Sequence, residues 1–158
     1  MSLPSARVQD ELNRLGLKCQ VVEFSDSTRT AADAAATIGC EVAQIAKSLV
    51  FRGTQSGEAI LIIASGTNRV NEATIAETLG ETITRADADF VRGRTGFAIG
   101  GVPPLGHLTP LRTLIDSDLF GFEVVWAAAG TPRSVFKLNR ADLLKLQQHL
   151  TATTCKIT

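Results

Sequence analysis

The run Lys47-Ser48-Leu49-Val50-Phe51-Arg52, then Thr54-Gln55-Ser56-Gly57, then Ala59-Ile60-Leu61-Ile62-Ile63-Ala64, decides the fold class. The first segment is β-rich, and its alternation predicts a half-buried strand. The second is turn chemistry. The third is apolar at every position, as expected of a central strand covered on both faces. Such a sheet needs helices on either side, and the flanking sequence supplies them.

Upstream, Val8, Leu12 and Leu15 fall on one face of a helix spanning Leu3 to Leu15, which Gly16 stops. Cys19 to Phe24 reads as a strand. Thr30 is placed to cap an Ala-rich helix, with Asp33 at its third position and Gly39 closing it. A short helix over Val42 to Ala46 leads into Lys47. Downstream, Asn71 caps a helix from Glu72 to Leu79 that Gly80 ends. Thr82 to Arg85 reads as a short strand, and Asp87 or Asp89 opens a short helix to Arg92. Two later strands, Glu123 to Ala128 and Ser134 to Leu138, precede a helix that Asn139 and Asp142 cap and that runs to Leu150. Helices and strands interleave without a linker, repeat or low-complexity block. The expectation is an α/β (α+β) fold, one domain over residues 1–150 with a mixed β-sheet flanked by helices. Residues 151–158, polar and Thr-rich, are expected to fray.

Hydrophobic residues make up 44% and charged residues 20% of the 158, a globular composition. No window is long and apolar enough for a membrane span, and Met1-Ser2-Leu3-Pro4 does not open a signal peptide. A cytoplasmic protein with no membrane partner is expected. Cys19, Cys40 and Cys155 are widely spaced, and the histidines are His107 and His149. That set supports neither a disulfide framework nor a zinc site, so no metal and no cofactor are expected. The charge balance, 16 basic against 16 acidic, argues against a broad phosphate-tracking groove and against DNA. Residues 1–46 are net −2, and residues 47–115 and 116–158 are each net +1. A few groups such as Lys47, Arg69, Arg112 or Arg133 could still grip one end of an RNA, with weak affinity and shallow salt dependence.

One segment does not read as scaffold. Residues 93–112 hold paired Gly100-Gly101, Pro103-Pro104, Gly106 and His107, and no acidic residue. Such a run makes a stiff loop able to aim a few backbone N–H groups at one point, as carbonyl oxygens and developing oxyanions require. Lys47, at the entry of an apolar strand, is the second candidate, suited to a phosphate or carboxylate. Ser65-Gly66-Thr67-Asn68 with Arg69, and Ala129-Gly130-Thr131-Pro132, end strands in the manner of α/β sites. No GxSxG, Walker or GxGxxG motif is present.

Ala46-Lys47-Ser48-Leu49-Val50-Phe51, the run from Thr95 to His107, and Ala129-Gly130-Thr131-Pro132-Arg133-Ser134-Val135-Phe136-Lys137-Leu138 together resemble the YbaK family. Its members are freestanding relatives of the editing domain of bacterial prolyl-tRNA synthetase. The resemblance runs from about residue 5 to 150 and implies the YbaK/prolyl-tRNA synthetase-associated editing fold. It implies a trans-editing hydrolase, a deacylase that cleaves the ester of mischarged aminoacyl-tRNA and so protects translation fidelity. Binding alone discriminates poorly against a smaller amino acid, and a second, hydrolytic site removes the errors. The implied substrate is proline tRNA carrying alanine, 2-aminobutyrate or cysteine, gripped at its 3′ acceptor end, with prolyl-tRNA synthetase as an optional partner.

Carried onto this chain, the resemblance gives Lys47 the terminal nucleotide or ester, and gives Gly100 and Gly101 the backbone donors facing the ester carbonyl. Val102, Pro103, Pro104, Gly106, His107, Thr67, Asn68, Arg69 and Gly130 would form the surrounding substrate-binding residues. The attacking water would be activated with help from the substrate's terminal ribose hydroxyl. Pro103, His107 and Ala128-Ala129-Gly130 depart from the cysteine-specific branch, which favours alanine or 2-aminobutyrate. His107 is open between a pocket role and a general base. The alternative to catalysis is a non-catalytic module that binds aminoacyl-tRNA or a synthetase.

Overall fold

The computed structural model describes all 158 residues. In chain order the elements are α1 (Leu3–Arg14), β1 (Val21–Glu23), α2 (Ala31–Ile38), a 3-10 turn (Val42–Gln44), β2 (Ile45–Gly53), β3 (Ala59–Ser65), α3 (Glu72–Leu79), β4 (Ile83–Arg85) and α4 (Ala88–Thr95). There follow β5 (Arg112–Asp116), a 3-10 turn (Ser117–Gly121), β6 (Val124–Ala128), β7 (Ser134–Asn139), α5 (Arg140–Leu150) and β8 (Thr153–Cys155). The helix starts follow from local chemistry. The side chains of Thr30, Asn71 and Asp87 each accept a hydrogen bond from a backbone N–H of the first turn. Asn139 and Asp142 form a reciprocal capping box.

The strands make one mixed sheet in the order β1-β7-β6-β2-β3-β5-β8, with β4 added to β2. β3 is central and buried at every position. Its Leu61 and Ile63 pack with α1 and α5 residues such as Val8, Leu12, Leu143 and Leu146. Its Ile60, Ile62 and Ala64 pack on the other face with Ile75 and Leu79 of α3. The unbroken apolar run is thus two alternating half-strands, each serving its own core. No helix is long and apolar enough to cross a membrane.

Three expectations are corrected. The short helix before Lys47 is only a 3-10 turn; Ile45 and Ala46 already belong to β2, so Lys47 stands inside a strand. Arg112–Asp116, of which only Arg112 was read, as the end of the Gly/Pro run, form a largely buried strand lying parallel to β3. Residues 151–158 do not fray as a unit. Thr153–Cys155 pair with Leu114–Asp116, Ile157 is fully buried, and its carbonyl accepts the Asn71 N–H at 2.7 Å. β8 covers the outer edge of β5 and is held by its backbone pairing and by the buried Ala152 and Ile157 on either side of it.

Candidate active site

The site begins at an interruption in the sheet. Along one edge β2 pairs continuously with β3, from Ala46 to Arg52. Along the other it pairs with β6 at Ile45 and Ala46, and with β4 from Phe51 to Gly53. Lys47 to Val50 therefore have no strand on that edge. Two cavities open there, and both are walled by Lys47, Ser48 and Leu49 from β2 and by Ile99, Gly100 and Val102 from the Gly/Pro loop.

The first cavity, about 360 Å³, is mainly apolar, with Ala34, Ile45, Trp126, Ala128 and Val135 around it and Thr28, Arg29 and Thr30 at one side. The second, about 520 Å³, is polar and carries Lys47, Arg69 and Arg85 against Glu72. Lys47 donates from Nζ to the Gly66 carbonyl at 3.3 Å. Burial and the neighbouring Arg69 push its ammonium pKa down, and Asp116 partly opposes them. Ser48 lies where the cavities meet, and its Oγ is a buried polar atom without a hydrogen-bond partner in the protein. Such an atom in a cavity wall is suited to a ligand contact.

The loop leaves several backbone donors free. Gly100 has φ of 90°, a conformation that favours glycine. Gly101 packs so closely that a Cβ there would lie 2.8 Å from the Thr131 backbone. The Gly101 N–H is used inside the turn, donating to the Ala98 carbonyl at 3.0 Å, while the Gly101 carbonyl accepts the Gly130 N–H at 2.9 Å. The N–H groups of Gly100 and Val102 donate to no protein acceptor, and Pro103 and Pro104 have none to give. The Ile99 N–H is likewise unpaired, so the candidate donors among the loop residues lining the cavities are Ile99, Gly100 and Val102. Gly101 is corrected from donor to hinge-point between two loops.

Of the residues expected at the site, Lys47, Arg69, Gly100 and Val102 line the cavities. Gly101, Pro103, Pro104, Gly106, His107, Thr67, Asn68 and Gly130 do not. Pro103 and Pro104 are buried, and the His107 ring shares a 2.7 Å hydrogen bond from Nε2 with the Pro103 carbonyl. Burial pushes the His107 pKa down, with that bond opposing it. His107 lines neither cavity, and its ring bonds the loop's own backbone. Asn68 is a strut. Its Nδ2 donates to Asp116 and Asp118, each at 2.8 Å, and Asp116 also accepts the Ser65 N–H at 3.0 Å. This clamp holds the strand end that carries Gly66 and Arg69. Arg112 donates to the Leu79 carbonyl, and neither it nor Arg133 lines either cavity.

Ser48, Ile99, Arg29, Arg85 and Trp126 also line the cavities and were not expected there from the sequence. Ser48 adjoins Lys47, and Trp126 is the one tryptophan of the chain; each was a usable signal. Arg29 and Arg85 come from separate surface segments and gave none.

Comparison with known proteins agrees with this architecture. The aminoacyl-tRNA editing domain family matches residues 25–146. The YwhH protein of Bacillus subtilis strain 168 is 35% identical over 144 residues, covering 90% of this chain and 89% of that protein. A crystal structure of a candidate trans-editing enzyme for prolyl tRNA synthetase is 44% identical with a TM-score of 0.91, covering 100% of this chain and 98% of that one. The proline–tRNA ligase of Limosilactobacillus fermentum is 31% identical over 96 residues, 58% of this chain but 17% of the ligase. With the match spanning most of its length and the fold shared throughout, this chain belongs to the aminoacyl-tRNA editing domain family.

Proposed function

We propose that the protein is a freestanding deacylase that hydrolyses the ester of mischarged proline tRNA, with alanine or 2-aminobutyrate as the preferred acyl group. The observation that carries this reading is the pair of unlike cavities meeting at Lys47, Ser48 and Gly100. An aminoacyl end has a small apolar side chain on one side of its ester and a nucleotide on the other. The apolar cavity suits the first and the cavity with Lys47, Arg69 and Arg85 suits the second.

The ester carbonyl then lies at the junction. Water adds to the carbonyl carbon, the oxyanion that forms is stabilised by the free N–H groups of Gly100 and Val102, and the terminal ribose oxygen leaves with a proton. No histidine or cysteine lines either cavity, and the one carboxylate, Glu72, belongs to the cavity given to the nucleotide, so the base that activates the water is assigned to the substrate. The neighbouring ribose hydroxyl of the substrate fills that role in this reading. The relationship to a prolyl-tRNA ligase and to a trans-editing structure supports proline tRNA as the carrier. Ala34 and Ala128 in the apolar cavity support a small acyl group, admitted by size.

The test is deacylation of alanyl-, 2-aminobutyryl-, cysteinyl-, seryl- and prolyl-tRNAPro by the purified protein. Fastest release of alanine or 2-aminobutyrate, with prolyl-tRNAPro spared, is expected. Binding of these tRNAs without release of any amino acid would overturn the reading in favour of a non-catalytic module.

A further inference from the structure

The pairing of β2 with β6 stops short of both strand ends. The two are in register only at Ile45–Trp126 and Ala46–Ala127, although β6 runs on to Ala128 and β2 to Gly53. Backbone directions beyond that point follow from the two-residue alternation of a strand. Gly53 donates its N–H to the Glu58 carbonyl on the β3 side, and Thr54 donates to the Thr82 carbonyl on the β4 side. Even-numbered residues of β2 therefore face away from β3, and Ser48 turns its N–H and its carbonyl to the open edge. On β6, Ala129 donates to the Ser134 carbonyl on the β7 side, so Ala128 turns its carbonyl towards β2. No β6 residue beyond Ala127 pairs with β2, and neither the Ser48 nor the Ala128 carbonyl accepts a hydrogen bond from a loop.

Ser48 adds its Oγ, buried and without a partner. The other hydroxyls of the apolar cavity are already used. Thr28 donates to the Pro132 carbonyl at 3.1 Å, and Thr30 accepts the Asp33 N–H at 3.0 Å. No carboxylate lines that cavity. Two carbonyls and a hydroxyl are thus left without hydrogen-bond donors on the sheet wall, while the free N–H groups of Ile99, Gly100 and Val102 belong to the loop wall. An aminoacyl group has the matching polarity, with an amino group that donates next to a carbonyl that accepts.

We propose that the α-amino group of the acyl moiety is held at this lapse in the sheet, donating to the Ser48 and Ala128 carbonyls and engaging the Ser48 hydroxyl. The inference rests on the reading of the chain as a deacylase, and it adds to size a second criterion for the acyl group. The other hydrogen-bearing group near the ester is the ribose hydroxyl, on the nucleotide side. Ala128 lines the apolar cavity and not the polar one, so the amino group is the better match. Proline carries ring carbon on its nitrogen and one N–H fewer, so the same wall disfavours the cognate ester.

The experiment compares the alanyl and lactyl esters of adenosine, which carry an amino group and a hydroxyl at the same carbon. Each kcat/KM is divided by the spontaneous hydrolysis rate of that ester, which removes the amino group's own effect on reactivity. Wild type should prefer the alanyl ester by at least about tenfold. Ser48→Ala should cut that preference about threefold, and Ser48→Thr, which keeps a hydroxyl, should restore it. A loss of packing alone would slow both esters alike, so an unchanged ratio in Ser48→Ala would overturn the proposal. A wild-type ratio near one would do the same. Binding is measured separately with the alanyl and lactyl amides of 3′-amino-adenosine, which resist hydrolysis. The alanyl amide should bind about tenfold more tightly. Equal affinities, or no binding of the alanyl amide, would also overturn it. If the amides separate as expected while no ester is cleaved, the deacylase reading falls and the amino-group site stands.

Discussion

Residues 99–102 and 103–107 are neighbours in one Gly/Pro-rich run, yet three of the first four line the cavities while the next five turn away from them. In the front part Ile99, Gly100 and Val102 wall the gap beside β2, and the backbone N–H groups of all three stay free. In the rear part Pro103, Pro104 and Leu105 are buried, and His107 fastens the Pro103 carbonyl. The difference shows how a fold holds unpaired backbone donors in place. Prolines that have no donor of their own, an apolar plug and an imidazole bond fix the rear, so that the front keeps its shape with donors unspent.

The contrast can be broken by substitution. The largest effect is expected in the rear, on stability. Leu105→Ala empties a fully buried site and should cost about 3 kcal/mol in urea denaturation. Any loss of hydrolysis should follow the folded fraction. In the front, Gly100→Ala should act the other way round. The positive φ costs about 1 kcal/mol of stability, whereas displacement of the donors should lower the deacylation rate about a hundredfold. Equal effects of both variants on rate and stability would erase the distinction.

His107→Ala tests the rear more gently, at about 1 kcal/mol, because it strips a hydrogen bond from a buried carbonyl. It also carries a pH signature. The His107 pKa is lowered by burial, so the unfolded chain takes up the proton more readily. Its contribution to stability is therefore full above the unfolded value of about 6.5 and declines as pH falls below it. The variant should flatten that decline in denaturation measured from pH 5 to 8, and the pH profile of hydrolysis should stay as in wild type. A collapse of rate with the loss of a near-neutral ionisation would make His107 a base after all. The smallest effect is on selectivity. Ala128→Val narrows the apolar cavity and should lower kcat/KM for the 2-aminobutyryl relative to the alanyl ester by about fivefold.

The sheet core was legible because each buried strand announces its environment locally. Ala59 to Ala64 is apolar at every step, and the capping residues Thr30, Asn71 and Asn139 stand where the helices start. Arg112–Asp116 was hidden because it abuts the Gly/Pro run and is only five residues long. The site divides likewise. Lys47 and Gly100 were visible as a lysine in an apolar strand and a glycine in a loop. That Gly101 has spent its N–H, and that His107 faces away, depend on hydrogen bonds no spacing encodes. Charge shows the same limit. No third of the chain exceeds a net charge of +1, yet folding brings Lys18, Lys137 and Lys145 to one depression. Charge per segment cannot report that gathering.

In the proposed function, ester hydrolysis takes place at the open edge of β2, beside Lys47. Single-turnover hydrolysis of alanyl-tRNAPro by Lys47→Ala, with thermal unfolding of the same preparation, tests it most directly. A rate at least about a hundredfold below wild type is expected, in a chain that remains folded. Wild-type-like hydrolysis by that variant would contradict it.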